Sequence, residues 1–339
     1  MSKKILIVGG VAGGASTAAR IRRLDEQAEV IMFEKGPHVS FSNCSLPFHL
    51  SGVVESSNRL VLMNPNSFKA KYNLDARTNS EVIRINRAEK TITVRNVLTN
   101  EEYTESYDKL VLSPGAAPIV PNVNGTTLEH VFTVRNVVDI ERLQKAIVEK
   151  DAQNIAVIGG GYIGVEVAEN LRLAGRNVTL VQSAPQILRP FDFSMAQILQ
   201  KEMMDQGIHV VVGDGLAGIT TESVILTSGK QIKADIVVLA IGVRPETKLV
   251  EEAGLEIGTT GGIKVNQNYV TSDPHIYAVG DVIEVYHRLL HKPVRLALAG
   301  PAQRQARAVA DHIYGIANQN KGVIGSTSIQ VFNYAAAAT

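Results

Sequence analysis

Two glycine-rich turns, each placed between an apolar strand and a helix, constrain the fold of this chain more than any other feature. Residues 5–8 are all apolar and run into Gly9, after which residues 15–24 have the composition of a helix. Residues 155–158 run in the same way into Gly159, ahead of a helical stretch at 165–173. Glycines in such a turn let the backbone approach a pyrophosphate, and the helix N-terminus supplies amide donors. The sequence therefore predicts two dinucleotide-binding units in an α/β fold.

The first turn departs from the G-x-G-x-x-G pattern at its middle position. It consists of Gly9, Gly10, Val11, Ala12, Gly13 and Gly14. A second apolar strand at 30–33 ends at Glu34, where an acidic side chain accepts hydrogen bonds from a ribose. The prediction that the first turn binds a dinucleotide rests on this strand and Glu34 together with the glycines. A glutamate at the solvated end of a strand would by itself be ordinary.

The second turn matches the pattern in full, with Gly159, Gly161 and Gly164. Its following strand, 178–181, ends at Gln182, where a carboxylate is usual for NAD. The nearest arginine that could suit a 2′-phosphate is Arg189. The sequence therefore leaves NADH and NADPH open.

Two dinucleotide units in one chain limit the chemistry. If one unit binds a flavin and the other a nicotinamide, hydride passes from nicotinamide to flavin and electrons go on to an acceptor. A duplicated binder of two nicotinamides would offer no reaction between its sites. The sequence therefore favours FAD together with NADH or NADPH.

Cys44 is the only cysteine among 339 residues. If it does redox work, its partner sulfur comes from outside the chain. A lone cysteine can also be a small buried hydrophobe, but Cys44 stands among Ser40, Ser42, Asn43 and Ser45. A helix opening after it would favour the thiolate, and a shift of the thiol pKa from about 8.5 to about 6 would make roughly nine in ten thiols ionised at pH 7.

Arg20 and Arg23 share a face of the first predicted helix by their spacing. Such clusters are often only solvated. This helix leads back toward the Cys44 segment, however, so a thiol substrate that carries phosphates is a second interpretation.

Composition excludes several classes of function. Lys and Arg number 34 against 33 Asp and Glu, so no overall field recruits nucleic acid. The apolar run near the N-terminus is too short for a signal peptide, and no run approaches the roughly 20 residues of a membrane helix. We expect a cytoplasmic protein, and the eight histidines show no metal-ligand spacing, so we expect no metal.

Three motifs carry a family resemblance: residues 159–166, Ile241-Gly-Val-Arg-Pro245, and the run from Thr271 to Asp281. With them, the chain resembles the FAD-dependent pyridine nucleotide-disulfide oxidoreductases over nearly its whole length. The segment Ser40-Phe-Ser-Asn-Cys44 narrows the resemblance to the single-cysteine branch, which includes coenzyme A disulfide reductases, persulfide or polysulfide reductases, and NADH oxidases and peroxidases.

The resemblance implies roles for further residues. Asp281 would contact the flavin ribityl chain, and the helix that begins near Pro301 and Ala302 would point at the flavin. Ser40 and Asn43 would lie in the thiol pocket beside Cys44. Phosphates of coenzyme A would be bound by Arg20, Arg23 and, with a less certain alignment, Lys71. The remaining cofactor-site residues would be Lys35, Ser113, Gly115 and Gly280 for the flavin and Tyr162, Ile163, Glu166 and Gly242 for the nicotinamide.

The implied architecture is glutathione-reductase-like, with two Rossmann-like domains. The FAD domain would comprise residues 1–115 and 250–325, the NAD(P)H domain 116–249, and residues 326–339 would begin a C-terminal dimerisation domain. Relatives continue into that domain, so we expect either a truncated chain or a protein that lacks it. A homodimer is expected if the domain exists.

Three functions follow. The first is an NAD(P)H-dependent reductase of coenzyme A disulfide or of a related persulfide or polysulfide, acting through Cys44. The second reduces oxygen or peroxide, with Cys44 cycling through a sulfenic acid. The third is a redox sensor with negligible turnover.

Overall fold

The computed structural model describes residues 2–317 and 322–339. Residues 1 and 318–321, which fall within the predicted FAD domain, lie outside the described residues. The helices are α1 (Ala12–Leu24), α2 (Pro47–Leu50), α3 (Pro65–Tyr72), α4 (Val137–Glu149), α5 (Tyr162–Leu173), α6 (Phe193–Asp205), α7 (Lys248–Glu252) and α8 (Ala299–Ile313). Single 3-10 turns lie at Asn43–Ser45, Ser57–Leu60 and Gly280–Val282.

The strands of the first half are β1 (Lys4–Val8), β2 (Glu29–Phe33), β3 (Asp75–Arg77), β4 (Ser80–Asn86), β5 (Thr91–Asn96), β6 (Glu102–Ser106), β7 (Lys109–Leu112), β8 (Ala116–Pro118), β9 (Val131–Thr133), β10 (Asn154–Ile158) and β11 (Asn177–Gln182). Those of the second half are β12 (His209–Val212), β13 (Leu216–Ile219), β14 (Ser223–Leu226), β15 (Gln231–Lys233), β16 (Ile236–Leu239), β17 (Val243–Pro245), β18 (Ile263–Lys264), β19 (Ile276–Ala278), β20 (Ile283–His287), β21 (Lys292–Val294), β22 (Thr327–Val331) and β23 (Tyr334–Ala338).

The chain divides into two compact units. Within the described residues, unit 1 is drawn from 1–41, 61–116 and 245–325, and unit 2 comprises 42–60, 117–244 and 326–339. This division groups the Cys44 segment and the last residues with unit 2. The sequence prediction instead gives 1–115 as one stretch of the FAD domain and treats 326–339 as the start of another domain.

Unit 1 is built on a five-stranded parallel sheet in the order β19-β7-β1-β2-β3. β1 is fully apolar after its first residue and is buried on both faces, as expected for the centre of a parallel sheet. Its register pairs Ile5 with Val30 on one side and with Lys109 on the other. Helices α1 and α8 pack together in this unit, and β4, β5 and β6 form an antiparallel meander.

Unit 2 repeats the plan with a five-stranded parallel sheet in the order β12-β11-β10-β16-β9. β10 lies at its centre, and Ile155 pairs with Val178 and with Ile236. A small antiparallel sheet, β13-β14-β15, and the hairpin β22-β23 complete the unit. The β22-β23 hairpin was not predicted from the sequence.

Local side-chain caps explain where helices α3 and α4 begin. The Asn64 side chain accepts the Ser67 amide to start α3, and Asn136 accepts the Asp139 amide to start α4. Helix α4 then runs to Glu149, and strand β16 ends at Leu239. Among the described residues, every helix is too short or too polar to cross a bilayer.

Candidate active site

The first glycine turn closes because Gly9 and Gly14 have no side chains. A Cβ on Gly9 would lie 2.0 Å from the Ser113 carbonyl oxygen, and one on Gly14 would lie 1.8 Å from the Gly9 carbonyl oxygen. Gly9 has φ +94°, and its amide donates to the Phe33 carbonyl at 2.8 Å. Helix α1 can therefore begin directly against the end of β1.

Glu34 closes the same turn from the end of β2. One of its carboxylate oxygens accepts the Gly10 amide and the other accepts the Gly36 amide, each at 2.9 Å. These bonds fix the carboxylate at the edge of the turn where a ribose would lie. The predicted position of Glu34 is thus occupied by an ordered acceptor.

Four predicted flavin-site residues converge in unit 1. A Cβ on Gly13 would lie 2.5 Å from the Ser113 hydroxyl oxygen, and one on Gly280 would lie 3.5 Å from the same oxygen and 3.8 Å from the Ala302 Cβ. The Gly280 amide donates at 2.8 Å to the side chain of Gln305, which is 2% exposed. These contacts bring the starts of α1 and α8 to the same end of the sheet.

Other predicted flavin-site residues surround this end of the sheet. Asp281 lies in the 3-10 turn that follows β19. Pro301 lies in the first turn of α8, and the N-cap residue of that helix, Leu298, provides no side-chain hydrogen bond. Gly115 has open space where a Cβ would point. Lys35 is paired with Glu246 at 3.1 Å.

The residues of unit 1 fit FAD on structural grounds. The amides at the start of α1 receive no side-chain cap, since Val11 stands at the N-cap and Ala12 at the first helical position. Uncapped amides, a backbone that only glycine permits and a fixed carboxylate are the features that a dinucleotide needs. Gly9, Gly14 and Glu34 would hold the nucleotide, and the start of α8 would face the ring system.

The second glycine turn, in unit 2, has the same backbone arrangement as the first. A Cβ on Gly159 would lie 2.3 Å from the Ala240 carbonyl oxygen, and one on Gly164 would lie 1.8 Å from the Gly159 carbonyl oxygen. Gly161, the N-cap of α5, has open space where a Cβ would point. The Gln182 side-chain oxygen accepts the Gly160 amide at 2.9 Å. These residues fit a second dinucleotide, here the nicotinamide.

Glu166 gives unit 2 a distinctive electrostatic feature. Burial and, secondarily, the charge of Glu169 raise the pKa of Glu166 to about 7. Burial also raises the pKa of Glu169, against the opposing effect of the Phe332 amide, which donates to it at 2.8 Å. Glu166 can therefore exist in either protonation state at neutral pH.

The other predicted nicotinamide-site residues lie nearby in unit 2. Tyr162 is the first residue of α5, and its ring meets that of Phe191 edge-on with the centroids 6.3 Å apart. Burial raises the pKa of Tyr162. Ile163 is exposed, and Gly242 has φ +119° and accepts the Ile119 amide through its carbonyl.

Cys44 is exposed, in the 3-10 turn Asn43–Ser45. The hydroxyl groups of Ser42 and Ser45, which flank it, are 2.7 Å apart. The helix expected after the cysteine forms as α2, but it has only four residues, so its dipole contributes little to the thiol. Cys44 is therefore accessible from solution in a polar stretch of the chain.

Ser40 and Asn43 fall into different units. Ser40, in unit 1, has a left-handed backbone with φ +49°, held by its amide donating to the Gly10 carbonyl at 2.7 Å. Asn43, in unit 2, donates its side-chain amide to the Arg135 carbonyl at 3.3 Å.

The three residues predicted to bind phosphates, Arg20, Arg23 and Lys71, have different partners in the structure. Arg20 is paired with Asp311 at 2.7 Å. Arg23 and Lys71 both lie over the Tyr72 ring, at 5.8 and 5.5 Å from its centroid. These two cations therefore flank one aromatic ring, while the guanidinium of Arg20 is engaged by a carboxylate.

Sequence reasoning missed three residues. The Arg22 guanidinium donates to backbone carbonyls that include those of Tyr72 and Ala28, so it braces unit 1. The Gln305 side chain accepts the Gly280 amide. A polar residue among the alanines of the buried face of α8 was the sequence feature that could have indicated this role. Asn170 is 1% exposed on α5, and nothing in the sequence around it marked it. Among the described residues, no group of three His, Cys, Asp or Glu side chains could bind a metal.

Two dinucleotide turns on parallel sheets and one exposed cysteine define a two-dinucleotide oxidoreductase. The family model described as pyridine nucleotide-disulphide oxidoreductase matches residues 3–306. The chain belongs to this family, which confirms the predicted fold class and the resemblance.

Particular relatives narrow the comparison. The chain is 36% identical to the coenzyme A disulfide reductase of Staphylococcus haemolyticus, over 99% of this chain and 76% of the relative. The structure of reduced Bacillus anthracis CoADR-RHD has a TM-score of 0.97 and 46% identity, over 99% of this chain and 61% of that one. An NAD-dependent persulfide reductase from A. fulgidus has a TM-score of 0.95 and 31% identity, over 98% of this chain and 63% of that one. The chain thus spans less than two thirds of these two solved proteins.

Proposed function

We propose that this chain is an FAD-dependent NAD(P)H oxidoreductase that reduces coenzyme A disulfide, or a coenzyme A persulfide or polysulfide, through Cys44. The observation that carries the proposal is the exposed Cys44 among serine and asparagine side chains, in a chain with two dinucleotide turns. The names of the relatives, coenzyme A disulfide reductase and persulfide reductase, support this choice of substrate.

The reacting residue is Cys44 itself. Its thiolate would attack one sulfur of the substrate disulfide, form a mixed disulfide with that half and release the other half as a thiolate that takes a proton. FAD, when bound, would take two electrons from NAD(P)H and supply them for reduction of the mixed disulfide. That reduction returns Cys44 as a thiolate and releases the second thiol.

The other residues of the chain would bind and orient. In unit 2, the amides at the start of α5 would receive the nicotinamide dinucleotide, with Tyr162 and Glu166 on the first turns of that helix. Arg23 and Lys71 would pair with phosphates of coenzyme A, because neither cation has a carboxylate within ion-pair distance among the residues that the structure describes. Arg20 would contribute only if Asp311 released it.

The proposal extends to the setting of the protein. We place it in the cytoplasm, since a thiol enzyme with one cysteine suits a reducing compartment. The near-balanced charge argues against nucleic acid as a partner. The family resemblance favours a homodimer formed through a C-terminal domain.

Replacing the cysteine tests the proposal. In Cys44→Ser, FAD should stay bound and NADH should still reduce it, because neither dinucleotide turn is altered. Turnover of coenzyme A disulfide should fall by a factor of about a thousand or more, because the group that forms the mixed disulfide is gone. Anaerobic steady-state kinetics with coenzyme A disulfide, coenzyme A persulfide and polysulfide measure this.

Two results would contradict it. Disulfide turnover that survives in Cys44→Ser would remove the cysteine from the reaction. Wild-type protein that consumes oxygen or peroxide rapidly but reduces none of the sulfur substrates would favour a sulfenic acid cycle instead.

A further inference from the structure

The segment that carries Cys44, residues 42–60, is attached to two helices of unit 2 by side-chain hydrogen bonds. At its start, Asn43 donates to the Arg135 carbonyl just before α4, and at its end the Ser57 hydroxyl donates to Glu141 at 2.6 Å. Both of these bonds are exposed to solvent. Water competes for exposed bonds, so they contribute little to holding the segment.

The middle of the segment has a bond of another kind. The Ser51 hydroxyl donates to the Asn170 side-chain oxygen at 2.7 Å, and it also lies 3.2 Å from the Phe48 carbonyl. Asn170 is 1% exposed. Its side-chain nitrogen donates to the Glu166 carbonyl at 2.8 Å, and because that carbonyl can only accept, the oxygen of the amide must face Ser51.

A four-residue helix cannot hold its own position, because helices this short are not stable alone. Helix α2, which follows Cys44, is packed on α5 and buries Pro47 and Leu50. Apolar burial is not directional, so it favours contact with α5 without fixing one register. Ser51 ends α2, and its bond to a buried amide supplies the missing direction.

The dinucleotide frame does not itself require this asparagine. Unit 1 has Arg20 at the place in α1 that Asn170 has in α5, and Arg20 pairs with Asp311 instead. The buried amide is thus particular to the helix on which the Cys44 segment lies.

We infer that Asn170 is a positioning residue for Cys44, which it holds through Ser51 in one register on the helix of the nicotinamide unit. The inference rests on the proposed function for the importance of Cys44, but the holding of the segment can be measured without it. Asn170 acts through Ser51 and does not contact the substrate.

Hydrogen exchange of the holoprotein tests the holding directly. In Ser51→Ala and in Asn170→Ala, amides of residues 42–60 should exchange about fivefold to tenfold faster, as expected for loss of one part-buried hydrogen bond. The double variant should exchange no faster than either single one, because both remove the same bond. Ser51→Thr, which keeps the hydroxyl, should restore the wild-type rate, and Asn177→Ala, an exposed asparagine on β11, should leave it unchanged.

Steady-state kinetics test whether the position of the Cys44 segment affects turnover. With coenzyme A disulfide, kcat should fall about tenfold in Ser51→Ala while the KM for NADH stays within about twofold and flavin reduction by NADH keeps its rate. Wild-type exchange of residues 42–60 in Ser51→Ala would overturn the inference, and so would faster exchange with unchanged kcat. The proposed function fails separately, by disulfide turnover in Cys44→Ser.

Discussion

Residues 4–40 of unit 1 and 154–188 of unit 2 form the same strand-turn-helix-strand module from different side chains. In both, the first glycine has a positive φ and its amide donates to a carbonyl near the end of the neighbouring strand, that of Phe33 or Val181. In both, the amide of the second glycine donates to the side chain of the next residue, Glu34 or Gln182. The backbone frame is therefore set by close approach at the glycines, and the residues around it can vary.

The agreement extends to a strained residue. Ser40 and Leu188 both have a left-handed backbone, with φ of +49° and +48°, and each donates its amide to the carbonyl of the second glycine at 2.7 Å. Neither residue type favours this conformation. The repeated hydrogen bond shows that the frame imposes it.

The modules differ where a ligand would touch them. Val11 stands in unit 1 where Gly161 stands in unit 2, and the open space beside Gly161 explains why a side chain is tolerated there. Helix α5 carries Glu166 where α1 carries Ser16. The shared glycine backbone therefore indicates that each module binds a dinucleotide, and the residues that differ between the modules determine which dinucleotide is bound.

The largest expected effect comes from breaking each frame separately. In Gly14→Ala the new Cβ would lie 1.8 Å from the Gly9 carbonyl, and the same clash arises in Gly164→Ala with Gly159. Relief of this clash must move the turn on which the dinucleotide would lie, and if the overpacking cost of about 1–3 kcal/mol appears in binding, ligand affinity should fall about fivefold to 150-fold. Gly14→Ala should lose FAD, measured by absorbance after gel filtration, whereas Gly164→Ala should keep FAD and lose its reduction by NADH.

Gly161→Ala serves as the steric control for both. Its Cβ meets open space and its φ of −81° suits alanine, so its unfolding temperature should equal that of the wild type. Loss of FAD from Gly164→Ala, with FAD retained in Gly14→Ala, would reverse the assignment of cofactors to the modules.

A smaller effect comes from exchanging the side chains at the ends of β2 and β11. Gln182→Glu would give unit 2 the carboxylate of unit 1, which accepts from a ribose and repels a 2′-phosphate. The kcat/KM ratio of NADH over NADPH should rise about tenfold, the equivalent of about 1.4 kcal/mol. The reciprocal Glu34→Gln should weaken FAD without changing that ratio. An unchanged ratio in Gln182→Glu would mean that the nicotinamide ribose does not lie at Gln182.

The third difference concerns Glu166, a carboxyl group of α5 that has no counterpart at the matching place on α1. The folded-state pKa of Glu166, about 7, exceeds its ordinary 4.5, so the folded protein binds the proton more tightly than the unfolded chain. The contribution of Glu166 to the free energy of unfolding is therefore fully present below about pH 4.5 and is lost as the pH rises through 7. Relative to Glu166→Gln, the wild type should lose roughly 1–3 kcal/mol between pH 5 and pH 8.

Urea unfolding at the two pH values measures this difference. Ser16→Ala, at the matching place on α1, should show the same pH dependence as the wild type. A wild type and a Glu166→Gln variant that lose stability in parallel would show that burial does not perturb this carboxyl.

Much of the frame was predictable because its signals are local. The strand at 155–158, the glycines that follow it and the helix after them are contiguous, so their periodicity and composition were enough. The same holds for the asparagine cap that starts α4. Gln305 could not be assigned in this way, because its role depends on Gly280, which is 25 residues away.

The sequence by itself determined two dinucleotide modules and one cysteine in polar surroundings, since each is written in neighbouring residues. Only the tertiary structure decided that the Cys44 segment belongs with unit 2. Its bonds join residues 92, 119 and 84 positions apart in the chain. Partners at such separations are brought together by the tertiary fold of unit 2, and no local pattern of charge or hydropathy encodes their meeting.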